Sequence, residues 1–110
     1  MLCADQPESL AYIFSVLSSA TRIEILQLLK HRPMCVGALA MRLGITQGAV
    51  SQHLRILRDA HLVAADKRGY YVHYRLDNNT FAEYRQVVQA FLAMTPAPEN
   101  STGLGCDQDE

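Results

Sequence analysis

The feature that most limits the fold is a change of apolar period just past the middle of the chain. Through residue 59 the apolar residues recur at helical spacing. Leu10, Ile13, Phe14 and Leu17 mark a first amphipathic helix. Ile23, Ile25, Leu26, Leu28 and Leu29 mark a second, with Ser19 as its N-cap and Pro33 as its stop. Two shorter helices follow over Val36–Leu43 and Thr46–Asp59, joined at Gly44–Ile45. The period then switches within residues 62–76. Tyr70, Val72, Tyr74 and Leu76 alternate with Tyr71, His73 and Arg75, and Arg68–Gly69 offers a turn, so this stretch reads as a β-hairpin. Helical spacing returns at Asn79 or Thr80 and carries Phe81, Tyr84, Val87, Val88, Phe91 and Leu92. The expected fold is mainly α with a small β-hairpin, in the order α-α-α-α-β-β-α.

A chain of 110 residues fits one domain. Residues 1–7 and 95–110 lack periodicity and read as flexible tails around a domain at 8–94. Charge divides along the same lines. Residues 9–92 hold all ten Lys and Arg against five acids, while the six remaining acids lie at the two ends. A basic body with acidic ends suits a polyanionic partner. No apolar run approaches the ~18 residues of a membrane span. Asp5 and Glu8 sit where a secretory signal would be basic, so the expectation is a cytoplasmic protein without a membrane partner. Cys3, Cys35 and Cys106 are odd in number and widely spaced, which argues for reduced thiols over a disulfide scaffold.

The most specific segment is 36–57. Two helices that cross closely need a small residue at the crossing and a residue tolerant of positive φ in the turn. Ala40 and Gly44 fill these places. Leu39, Leu43, Ile45, Val50 and Leu54 supply the packing, and Thr46 caps the second helix. At about 100° per residue, Val50, Leu54 and Leu57 share one face of that helix, and Gln47, Ser51, Arg55 and Arg58 share another. Amides and hydroxyls reach base edges in a major groove, while guanidiniums take phosphate or guanine. The hairpin that follows makes a wing with Lys67 and Arg68 at its tip. The candidate DNA-contacting set is therefore Thr46, Gln47, Ser51, Gln52, Arg55, Arg58, Lys67 and Arg68. His53 falls beside the apolar face, where a packed, hydrogen-bonded histidine is expected rather than a base reader. The pattern of a winged helix-turn-helix predicts double-stranded DNA as partner.

These residues resemble the ArsR/SmtB family of small winged-helix repressors over roughly residues 9–92. The resemblance is carried by Leu17–Leu26, by Met34–Ala40, by Val50–Leu57 and by the hairpin end Tyr71–Leu76. It implies a homodimer built from the first and last helices, bound to an operator and released by an inducer, commonly a metal ion or metalloid. The apolar stripes of those helices independently exceed what so small a core can cover. Leu10, Ile13, Phe14, Leu17, Val87, Val88, Phe91 and Leu92 form the expected interface.

The chain departs from the family at its inducer sites. Metal-sensing members carry Cys-Val-Cys at the start of the third helix, but here Cys35 and Val36 are followed by Gly37. The zinc-type site of the last helix keeps Asp77 near its first position, yet residues 80–94 hold no histidine and only Glu83 as an acid. His61 stands where the family usually has Gly before Leu62–Val63. The family recruits cysteines from chain ends, so Cys3 and Cys106 joining Cys35 would give a thiolate set suited to As(III), Cd or Zn. Thiol oxidation and a regulator without cysteine sensing remain open beside it. No Ser-His-Asp set, phosphate loop or paired carboxylate stands out, so no enzyme is expected. A winged-helix module for protein contacts alone is the remaining alternative; it would not need four polar reading residues on one face.

Overall fold

The computed structural model describes residues 6–98. Its elements run α1 (Pro7–Val16), α2 (Ala20–His31), β1 (Met34–Cys35), α3 (Val36–Leu43), α4 (Gln47–Asp59), β2 (Val63–Arg68), β3 (Tyr71–Leu76) and α5 (Asn78–Leu92). The order expected from sequence holds with one addition, the two-residue strand β1. It pairs antiparallel with β3, Met34 opposite Tyr74 and Cys35 opposite His73, so the hairpin is part of a three-stranded sheet in the order β1-β3-β2. Two residues are too few to display a period, and only their pairing defines them as a strand. The hairpin turn also moves by one residue. Arg68 faces Tyr71 across β2 and β3, which leaves Gly69–Tyr70 as the loop instead of Arg68–Gly69. Gly69 takes φ +64 at the first loop position, where a two-residue hairpin needs it.

Caps set the helix boundaries. The Ser19 hydroxyl oxygen accepts from the Arg22 N–H at 3.2 Å and starts α2. Asp77 Oδ1 accepts from Asn79 and Thr80 N–H at 3.1 and 3.2 Å and starts α5 one residue earlier than the apolar spacing suggested. Helix α3 ends on Gly44 at φ +69, with the Ile45 N–H closing on the Ala40 carbonyl at 3.2 Å. Helix α4 ends in the same motif without glycine. His61 sits at φ +62, its N–H bonds the Arg58 carbonyl at 2.8 Å, and the Leu62 N–H bonds that of Leu57 at 3.0 Å.

The core gathers behind the two central helices. Ile13, Ile25, Leu39, Val50, Leu54, Leu57 and Leu62 are fully buried, each contributing about 1.5–3 kcal/mol of hydrophobic stabilisation. Helix α5 closes the core with Tyr84 and Val87. The Tyr84 hydroxyl donates to the Ala60 carbonyl at 3.1 Å and ties α5 to the end of α4. Burial, with smaller contributions from Tyr12 and Glu83, pushes its pKa up to about 12. Among the described residues no single helix is long and apolar enough to cross a membrane.

Candidate nucleic-acid interface

Helix α4 is held by its apolar face and open on its polar one. Val50, Leu54 and Leu57 are buried, whereas Gln47, Ser51, Gln52, Arg55 and Arg58 are all exposed. The Thr46 hydroxyl oxygen accepts from the Ala49 N–H at 3.1 Å, which leaves its own proton free to donate outward. Gln47 lies over the first turn of α3, its Nε2 3.5 Å from where a Cβ on Gly37 would stand.

The wing adds a second cationic point. Lys67, Arg68 and Tyr70 are exposed at its tip, Tyr70 completely so. Arg75 is different, because its Nε bonds Asp66 Oδ2 at 2.8 Å. That leaves Arg55, Arg58, Lys67 and Arg68 without an ion-pair partner among the described residues. An open cleft of about 750 Å³ lies between α4 and the sheet, with Ser51, Arg55 and Arg58 on one wall and Tyr74 and Asp77 on the other. Asp59 also lines it, so its charge is mixed rather than uniformly positive. Tyr70, which alternates with the strand residues in sequence, lies instead in the loop at the tip, because Arg68 pairs with Tyr71.

His53 is half-buried and packed, as its helical angle implied. Its Nδ1 lies 3.4 Å from a terminal nitrogen of Arg22. Arg22 also donates through Nε to the Val16 carbonyl at 2.6 Å and through its other terminal nitrogen to that of Ser15 at 3.1 Å.

The expected dimer residues divide. Leu10, Ile13 and Val87 lie inside the protomer's own core, because α1 and α5 pack on the domain through those positions. They are therefore not available as the contact surface assigned to them from spacing. Leu17, Val88 and Phe91 are half-buried, while Phe14 and Leu92 are 41% and 70% exposed. Phe14 and Phe91 meet edge to face at 6.2 Å and join α1 to α5.

The cysteine set is only partly in view. Cys35 is a free, half-buried thiol at the N-terminus of α3. Cys3 and Cys106 lie outside the described residues. Opposite Cys35 stands His73, whose Nδ1 is buried without a hydrogen-bond partner among the described residues. No group of three His, Cys, Asp or Glu side chains among the described residues could hold a metal ion, so these residues alone do not make a metal site. Asp77, near the family's second site, spends its carboxylate on capping α5.

A helix-turn-helix with a free polar face, followed by a hairpin with a cationic tip, defines a winged helix-turn-helix. A family model described as bacterial regulatory protein, arsR family, matches residues 19–65. The transcriptional repressor SmtB homolog of Synechocystis sp. is 35% identical over 88 residues, covering 79% of this chain and 67% of the relative. A crystal structure of a possible transcriptional regulator for arsenical resistance superposes with TM-score 0.68 at 34% identity, over 74% of this chain and 84% of that one. A solution structure of a homodimeric winged helix-turn-helix DNA-binding domain from Mycobacterium bovis superposes with TM-score 0.62 at 26% identity, over 77% and 81%. The chain belongs to the ArsR/SmtB family of DNA-binding transcriptional regulators.

Proposed function

We propose that this chain is a homodimeric repressor that reads an inverted-repeat operator through α4 and leaves it when an inducer acts. The observation that carries the reading is the polar face of α4. Gln47, Ser51, Gln52, Arg55 and Arg58 are all open, on a helix whose opposite face is locked into the core. Gln47 and Ser51, near the helix N-terminus, contact base edges. Thr46, Arg55, Arg58, Lys67 and Arg68 hold phosphates, and Gln52 borders the reading face. The second copy covers the outer surface of α1 and α5 around Phe14, Leu17, Val88, Phe91 and Leu92. The homodimeric Mycobacterium bovis neighbour supports this arrangement. A twofold dimer then sets its two reading helices about 34 Å apart, in successive major grooves.

For the inducer, the arsenical-resistance neighbour supports As(III), the family resemblance extends this to other thiophilic ions such as Cd or Zn, and Cys35 is the proposed ligand. The described residues hold too few donors for it, so Cys3 and Cys106 are the proposed remaining thiols. The protein acts in the cytoplasm, where duplex DNA and reduced thiols coexist, and carries out no catalysis.

The assignment of readers and anchors is tested by two variants on matched operator and scrambled duplexes. Gln47→Ala should flatten discrimination between them. Arg58→Ala should weaken both equally and lower the log–log salt slope by about 0.9 per phosphate contact removed. Uniform losses in both variants would show that Gln47 does not read bases.

A further inference from the structure

We propose that Arg22 is a positioning residue, which carries the placement of α1 into the DNA-reading helix through His53. The inference rests on the reading of α4 as the DNA-contacting helix and adds what holds that helix in register. Arg22 stands in the first turn of α2 and uses all three guanidinium nitrogens. Two of them grip the last turn of α1, at the Val16 carbonyl (2.6 Å) and the Ser15 carbonyl (3.1 Å). That helix has no basic residue of its own in its last turn, so the guanidinium supplies the positive charge its carbonyl end attracts. The third nitrogen faces His53 Nδ1 at 3.4 Å.

A guanidinium only donates, so in this pair Arg22 is the donor and Nδ1 of His53 the acceptor. A planar fork with three fixed partners also transmits position better than a flexible ammonium would. Among the described residues no other side-chain hydrogen bond spans α1, α2 and α4. His53 lies between Ser51 and Arg55 in sequence, at the middle of the reading helix. Helix α1 in turn meets α5 through Phe14 and Phe91, on the side proposed to face the second copy. A shift of the dimer face therefore reaches α4 through the ring contact and then the hydrogen bonds of Arg22. Phosphate contacts tolerate small rotations of a helix, whereas base-edge contacts do not. Loss of the link thus falls on sequence-specific binding.

The test uses the full chain with selected-operator and scrambled duplexes, read by fluorescence anisotropy, with dimer dissociation followed separately by sedimentation. His53→Leu, which removes the acceptor, should lower operator affinity about tenfold, the scale of a charge-assisted hydrogen bond, and leave scrambled-duplex binding and dimerisation unchanged. His53→Asn places its amide oxygen near the position of Nδ1 and should keep operator affinity within about twofold of the parent. Arg22→Lys should match the His53→Leu loss, and the double variant should be no worse than either single one. Where His53→Leu melts early, Arg22→Lys compared with His53→Asn makes the same comparison, the first losing operator affinity and the second keeping it. Equal losses on both duplexes, no rescue by Asn, or losses that add would each overturn the proposal. A parent chain with no preference for any duplex would instead sink the DNA-reading assignment itself.

Discussion

Replacing His61 by glycine should stabilise the domain, and the size of the gain follows from its backbone. His61 occupies the left-handed region at φ +62, immediately after α4. That conformation costs an L-residue about 1–2 kcal/mol, with histidine toward the lower end. Glycine enters it freely but has more unfolded-state entropy to lose, about 0.5–1 kcal/mol. The difference leaves a net gain of about 0.5 kcal/mol for His61→Gly. The two hydrogen bonds that close the motif are made by the backbone N–H groups of His61 and Leu62, so they survive the change. The His61 side chain is exposed and makes no hydrogen bond among the described residues, so little packing is lost. For a domain of this size the gain corresponds to a rise in Tm of about 2–4 °C. Thermal unfolding followed by circular dichroism is the assay, at one fixed protein concentration because dimerisation shifts Tm by mass action. His61→Asn should fall between the parent and the glycine variant, and His61→Val should melt below the parent, since a β-branched residue tolerates this region worst. A glycine variant that melts at or below the parent temperature would refute the strain assigned to His61.

Tyr84→Phe should cost about 1 kcal/mol at pH 8, through the lost bond to the Ala60 carbonyl. The folded pKa of Tyr84 is raised to about 12, so its stabilisation is complete below the ordinary value of 10 and fades as pH rises toward 12. Tm measured against pH should therefore fall less steeply above pH 10 in Tyr84→Phe than in the parent. Leu92→Glu puts a carboxylate on the exposed end of α5 and should convert the dimer to monomer at micromolar concentration in sedimentation, without lowering the helical content. Cys35→Ser should abolish release from operator by As(III), Cd or Zn while leaving affinity without inducer nearly unchanged. Gly37→Cys adds a thiol whose Cβ meets Gln47 Nε2 at an ordinary 3.5 Å, and it should tighten As(III) binding measured by calorimetry.

The helices were legible because their burial repeats at 3.6 residues and their ends carry their own chemistry. Ser19, Thr46 and Gly44 each act in the structure as their residue types imply. The polar face of α4 was legible for the same reason, since Val50, Leu54 and Leu57 fix which side is inside. What escaped depends on partners distant in sequence. Strand β1 exists only because Met34 and Cys35 meet Tyr74 and His73. The link from Arg22 to His53 spans 31 positions, and no local pattern announces it. Ile13 and Val87 share a helical stripe with exposed neighbours, and spacing alone does not separate a face turned to the core from one turned to a second copy.

The central claim is that α4 enters the major groove of an inverted repeat as one half of a dimer. Methylation interference on a duplex selected from random sequence tests it most directly, because methylation at guanine N7 blocks the major groove only. The account predicts interference at two symmetric clusters about one helical turn apart, weakened selectively in Gln47→Ala. A single cluster, or interference confined to minor-groove adenine N3, would contradict it.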